Sequence, residues 1–411
     1  MKRILTTTWA VVAMAMMACS SSDEKWNDPD DGGANVVDNE LKTISLTQSQ
    51  QQLVESNNDF AFNLMRQVYS DKKSQIVSPI SITYALGMLN NGAAGETQQQ
   101  INRVLGFSSA AEVNDFCRKM LTEAPMLDKL TKVMIANTIY MNKDYVLKPA
   151  FKQTANDYYD AQPETRDFYD GKTMGVINQW ASDHTEKMIT EVLNASTFDP
   201  SAVSYLLNAI YFKGAWANKF DKSQTRNEAF NGGSTVPMMH QQTTLTYGES
   251  DNCQMLSLPY GNGAYRMTVL LPREGSTVAD VLEDLTADRW QRMPMADAEV
   301  DVKLPSFESN TDVTLNDIMS QLGMPKAFTD YAEFPNFCNV PTRIGLMKQV
   351  ARIKVDEAGT EAAAVTVIGM VTTAISPEPR LVTFHATRPF LYVISERSTG
   401  AIFFIGQYNG K

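Results

Sequence analysis

The sequence predicts an α+β fold, on three observations. Apolar residues recur at helical spacing near the N-terminal side, with Leu53, Phe60, Leu64 and Val68 accompanied by Ala61, Met65 and Tyr69. Lys132 to Tyr140 is an apolar and β-branched run of strand type. Leu258 to Pro272 reads as a β-hairpin, because Asn262-Gly263 supplies a turn between two apolar stretches. From Thr43 onward no Gly/Ser/Pro-rich stretch marks a domain boundary and no internal repeat is present, so residues 43–411 read as one body.

Taken in order, Met1-Lys-Arg-Ile is a basic start and Ile4 to Ala18 is largely apolar, too short for a comfortable membrane span. Cys19 follows a small residue and precedes Ser20-Ser21-Ser22, which resembles a bacterial lipoprotein box. The expectation is a signal peptide over 1–18, lipidation at Cys19 and a tether over 19–42; an ordinary cleaved signal with an incidental Cys is the plainer alternative. Asp23 and Glu24 resemble the acidic signals that place some lipoproteins on the cell surface. The expected location is therefore the bacterial outer membrane, anchored by lipid, with the periplasmic and the outer face both open. The Asp/Asn/Gly-rich stretch from Trp26 to Lys42 lacks the closing Glu of a calcium loop and reads as solvated. Cys117, Cys253 and Cys338 are an odd number without metal-ligand spacing and read as buried thiols.

In the body, Ser78 is a helix N-cap with Pro79 at the first helical position, and Asn91-Gly92 closes that helix. Phe151 to Tyr159 and Val176 to Met188 read as helices. Phe384 to Ile394 and Ile402 to Gly406 read as two buried strands. The chain carries a net charge of −11, which argues against nucleic acid as a partner. His184, His240 and His385 lie far apart in the sequence, and HExxH, GxSxG and P-loop motifs are all missing, so nothing points to an enzyme. No metal or cofactor is expected.

The stretch Val355 to Pro379 is the most unusual. Glu357 to Ala364 contains four alanines and could open a helix, whereas Thr366, Val367, Ile368, Val371, Thr372 and Thr373 prefer a strand. At a period of two, Thr360, Ala362, Ala364, Thr366, Ile368 and Met370 form a face without charge, and Pro377 and Pro379 end it. An ordinary buried strand followed by a loop would account for this pattern. A segment that is a loop in one state and a central strand in another would also account for it.

Glu357-Ala-Gly-Thr-Glu-Ala-Ala-Ala resembles the reactive-loop hinge of inhibitory serpins. The resemblance extends over about Thr43 to Lys411 through Ser78-Pro-Ile-Ser81, Gly92 to Thr97, Asn208 with Lys213-Gly-Ala-Trp216, Leu258 to Pro272, Val302 to Phe307 and Phe384 to Ile394. It implies the serpin fold, with a large mixed sheet A, sheets B and C, surrounding helices and a reactive-centre loop at about 357–380. It implies a hinge at Glu357, Gly359, Thr360, Ala362, Ala363 and Ala364, and shutter and breach positions at Ser78, Ser81, Asn208, Trp216 and Gln349. Gln349 stands where many members have a His, which removes a pH switch there, though an amide could still bridge Asn208 and Ser78.

The implied activity is suicide inhibition of endopeptidases. Counting from Glu357 places the reactive bond at Thr373-Ala374. Glu357 to Pro389 is 32 positions, more than in shorter-looped members, so the window is Met370, Val371, Thr372, Thr373, Ala374 and Ile375. It holds no Lys or Arg. Elastase-like or subtilisin-like serine proteases are the expected targets, with papain-like cysteine proteases as a further class. A monomer is expected. The competing reading is a non-inhibitory binding protein of the same fold on the bacterial envelope.

Overall fold

The computed structural model describes residues 39–360 and 381–410. Residues 1–18, Cys19, the hinge residues Ala362, Ala363 and Ala364, and the window from Met370 to Ile375 with Thr373-Ala374 lie outside the described residues.

The first helix, α1 (Gln48–Val68), starts on a capping box. The Thr47 hydroxyl accepts the Gln50 amide at 3.2 Å, and the Gln50 side chain accepts the Thr47 amide at 3.1 Å. A short strand, β1 (Gln75–Val77), leads to α2 (Pro79–Asn90), capped by Ser78 with Pro79 in the first turn. Every residue of α2 except Ala85 is buried, so it is a core helix rather than an amphipathic one. Then come α3 (Gly95–Leu105), α4 (Ala110–Glu123), β2 (Thr131–Asn142), α5 (Pro149–Tyr159), β3 (Glu164–Arg166), α6 (Thr173–Asp183) and β4 (Ser204–Ala215). The middle of the chain is β-rich: β5 (Arg226–Phe230), β6 (Ser234–Glu249), β7 (Cys253–Tyr260) and β8 (Tyr265–Pro272). After α7 (Val278–Asp284) and α8 (Ala287–Gln291) follow β9 (Met295–Pro305), β10 (Phe307–Thr314), α9 (Asn316–Leu322), β11 (Lys348–Asp356) and β12 (Gly359–Thr360). The chain closes with β13 (Leu381–His385), β14 (Phe390–Glu396) and β15 (Ile402–Tyr408).

Two sheets form. The first has the order β10-β11-β12-β4-β2-β3 and is mixed, because β3 alone runs parallel to its neighbour. The second has the order β1-β15-β14-β8-β7-β6-β9-β13, with β5 beside β6. Sheets B and C of the expectation are thus one hydrogen-bonded path. The 16-residue β6 joins them, pairing at its start with β5, from Met238 to Gly248 with β9, and at its end with β7. Helix α2 packs against β4 and β15, so it lies between the two sheets. A smaller core of Tyr140, Phe168, Ile177, Leu193 and Tyr205 underlies α6.

Three local expectations are corrected. The helix expected to reach Met188 stops at Asp183, because Glu186 and Lys187 adopt φ of 50° and 63°, which no right-handed helix contains. Phe384 to Ile394 is not one strand: β13 and β14 are separated at 386–389, where Pro389 cannot donate to a ladder, and they pair with different partners. The hairpin turn is four residues, Gly261 to Ala264, with Asn262-Gly263 inside it.

Candidate functional site

Among the described residues, the centre of the first sheet is filled at one end only. β4 and β11 do not pair with each other among the described residues; only the two-residue β12 lies between them, at one end. Below it a cavity of about 840 Å³ is lined by Leu206 and Asn208 of β4, Met347 and Gln349 beside it, and Ser78 and Ile82 under it.

Residues 357–360 enter the upper end of this gap. Thr360 pairs with Gly214 on one side and Val355 on the other, antiparallel to both. It is 1 % exposed. Its hydroxyl lies 2.6 Å from the Tyr260 hydroxyl. Burial drives the Tyr260 phenol far above its usual range, so it stays protonated. Gly359 has φ +149°, and a Cβ there would lie 2.1 Å from the Gly214 carbonyl oxygen, so only glycine fits.

Trp216 frames the entry. Its ring stacks on Tyr260 at 4.5 Å and 11°. Its Nε1–H donates to the Asp356 carbonyl at 2.9 Å and its backbone amide donates to Ala358 at 2.9 Å. The Glu357 carboxylate accepts the Thr225 hydroxyl at 2.6 Å, and the Glu357 carbonyl accepts the Phe220 amide at 3.0 Å. Thr360, Gly359, Glu357 and Trp216 are therefore brought together.

Halfway down the gap lie the other expected residues. Ser78 and Gln349 exchange two hydrogen bonds: the Ser78 amide to Gln349 Oε1 at 3.0 Å, and Gln349 Nε2–H to the Ser78 carbonyl at 2.9 Å. The Ser78 hydroxyl donates to the Phe403 carbonyl at 2.8 Å. Ser81 donates to Asn208, whose Nδ2–H donates to Asn137 at 2.7 Å. Gln349 does not bridge Asn208 and Ser78, which corrects the expectation: the gap separates the strands that carry Gln349 and Asn208, and both ends of the amide go to Ser78.

Two partners were not read from the sequence. Tyr260 lies in the hairpin that was identified, but nothing local shows that its hydroxyl reaches a residue 100 positions away. Thr225 is likewise distant from Glu357. Among the described residues no cluster of His, Cys, Asp or Glu could hold a metal ion. Cys117, Cys253 and Cys338 are buried and unpaired, and burial raises each thiol pKa.

Among the described residues, β4 and β11 are joined only through the two residues of β12, where a chain segment begins a strand between them. The family model Serpin (serine protease inhibitor) matches residues 55–410. Serpin B6 of Pongo abelii is 32 % identical over 374 residues, covering 87 % of this chain and 99 % of the relative. Iripin-2 of Ixodes ricinus is 31 % identical over 393 residues, covering 90 % and 96 %. Among solved structures, the thermophilic serpin tengpin in its native state superposes with a TM-score of 0.79 at 28 % identity, covering 90 % of this chain and 97 % of that one. The chain belongs to the serpin family, a family of protease inhibitors rather than enzymes.

Proposed function

We propose that this protein is a suicide-substrate inhibitor of endopeptidases that traps its target as a covalent acyl-enzyme. The observation that carries this reading is Thr360, seated between β4 and β11 at the mouth of an open gap. The protease attacks the Thr373-Ala374 bond, or a neighbour between Met370 and Ile375, and its nucleophile becomes acylated by the loop. Ala362, Ala363 and Ala364 then follow Thr360 into the gap, and the tethered enzyme is carried along before it deacylates.

The register supports the path. Each step beyond Thr360 is one step back on both flanking strands. Six steps lead from Thr360 to Thr366, from Gly214 to Asn208 and from Val355 to Gln349. Thr366 would arrive level with the Ser81–Asn208 and Ser78–Gln349 bonds. The Thr360 side chain points inward to Tyr260, so the uncharged face of Ala362, Ala364, Thr366, Ile368 and Met370 would fill the cavity under the sheet. A charge on that face would be buried without a partner.

The lack of Lys or Arg in the window favours elastase-like or subtilisin-like targets. The basic start, the short apolar run and Cys19 support export and lipid anchoring in the bacterial outer membrane. Incubation with an elastase-like and a subtilisin-like protease, then denaturing electrophoresis and mass spectrometry, tests the trap. A denaturant-stable adduct with a cut between Met370 and Ile375 is expected. Cleavage without adduct for every protease class would leave a non-inhibitory binding protein.

A further inference from the structure

The start of the described chain lies on the part of the molecule that holds the hinge. Asn39 Nδ2–H donates to Asp128 Oδ1 at 2.7 Å, and Asn39 Oδ1 accepts the Lys129 amide at 2.9 Å. From the hairpin tip, Asn262 Nδ2–H donates to the Glu40 carbonyl at 3.2 Å and to the Leu127 carbonyl at 2.9 Å. Asp128 is only 3 % exposed. Its carboxylate also accepts the Leu130 amide at 2.9 Å, the Thr131 hydroxyl at 2.6 Å and the Asn262 amide at 3.3 Å. Gly261 has φ +45°, and a Cβ there would lie 1.9 Å from Asp128 Oδ2, so the hairpin backbone rests directly on the carboxylate. Five residues further on, the Ile44 amide donates to the Ser398 hydroxyl at 2.9 Å. Ser398 is in the β14–β15 turn, which the Arg397 amide joins to the first hairpin through the Ala264 carbonyl at 2.8 Å. Residues 39–44 thus cross two hairpin tips and bond to both.

The first tip continues into the hinge seat. Gly261 donates to the Ala215 carbonyl at 2.8 Å, beside the Gly214 that pairs with Thr360. The preceding residue is Tyr260, whose hydroxyl meets Thr360. A buried carboxylate that gathers three chain segments at one point leaves the tip little freedom to shift.

We propose that residues 39–44 are a strap that fixes the β7–β8 tip and, through Tyr260, keeps Thr360 seated between β4 and β11. The seat of the hinge then depends on the N-terminal segment. Cutting or pulling that segment unseats Thr360 and delays insertion, so more acyl-enzyme hydrolyses before it is trapped. Only this last consequence rests on the inhibitory reading; the coupling of strap to hinge does not.

The test is hydrogen exchange of the full chain, read by mass spectrometry on peptides covering the hinge, the β14 core and β2. Asn39→Ala removes the strap's side-chain bonds, and Asn39→Asp sets a carboxylate against Asp128. Loss of bonds of this kind speeds hinge exchange about fivefold to tenfold in Asn39→Ala, and more in Asn39→Asp, while β14 exchange stays unchanged. Lys42→Ala, an exposed neighbour, leaves the hinge unchanged. Tyr260→Phe reproduces the effect, and adding Asn39→Ala to it gives no further acceleration. Hinge exchange that ignores both Asn39 variants, acceleration spread equally over all peptides, or full additivity with Tyr260→Phe would each overturn the strap. Adduct yield, read beside exchange, separates the two readings: a responsive hinge in a protein that never forms an adduct supports the strap and refutes the trap.

Discussion

The contact between Tyr260 and Thr360 can be weighed by a double-mutant cycle. Both hydroxyls are buried, and each is the other's partner at 2.6 Å. Tyr260→Phe keeps the ring stacked on Trp216 but leaves the Thr360 hydroxyl without a partner, at a cost of about 1–3 kcal/mol. Thr360→Val keeps the branched shape and leaves the phenol alone, at a similar cost of about 1–3 kcal/mol. The double variant removes both polar groups and should be far less destabilised than the sum of the singles. A coupling energy of about 1–2 kcal/mol follows if the bond itself is of ordinary strength. The assay is urea unfolding followed by tryptophan fluorescence, with stability taken from the midpoint and slope of the first transition. If Thr360 rides outside the sheet in solution, neither hydroxyl loses anything when the other is removed. Additivity within about 0.5 kcal/mol would therefore refute the seated hinge and, with it, the geometric basis for prompt insertion.

Four further outcomes are expected. Thr360→Arg places a cation in an uncharged seat, so the protein should be cleaved by its target without forming adduct, as quantified on denaturing gels. Gly359→Ala brings a Cβ 2.1 Å from the Gly214 carbonyl oxygen, which should push the hinge out of the sheet and be read as faster exchange at 359–360. Gln349→Leu strips two hydrogen bonds from the buried Ser78 backbone and should lower stability by about 2 kcal/mol or more by urea unfolding. Glu228 is held below its usual carboxylate range chiefly by Lys303, with His240 adding to the effect. A lowered carboxylate contributes stability above its unfolded pKa, and this is lost as pH falls through the folded value. The melting temperature should therefore fall below about pH 4.5, and less steeply in Glu228→Gln.

Much of the fold was legible because its signals are local. Ser78-Pro79 caps a helix through a side chain three residues from the amide it accepts, and the Gly-rich tip of Leu258 to Pro272 turns the chain by its own chemistry. Strand boundaries were less legible where a buried run hides a change of partner. Phe384 to Ile394 reads as one strand despite Arg388-Pro389 within it, yet its two halves pair with β9 and β8. The end of α6 depends on two non-glycine residues in the left-handed region, for which the sequence carries no marker. At the site, Glu357, Gly359 and Thr360 were visible as a pattern. The Tyr260, Thr225 and Asp128–Asn39 contacts were not, since each joins segments separated by 89 residues or more, and pairing at that distance leaves no periodicity to read.

The last three strands carry one more consequence. β13 lies along β9, β14 is enclosed by β8 and β15, and β15 also pairs with β1. Residues 381–410 are thus woven into the second sheet from three sides. Severing the polypeptide anywhere between Thr360 and Leu381 makes two chains but not two bodies. The shorter product stays hydrogen-bonded as strands of a shared sheet, with β14 and β15 in its interior and β13 at its edge, and only denaturant parts it from the longer one. Size measured under native conditions will therefore not register the cut, and the covalent map of the molecule can change while its outline does not.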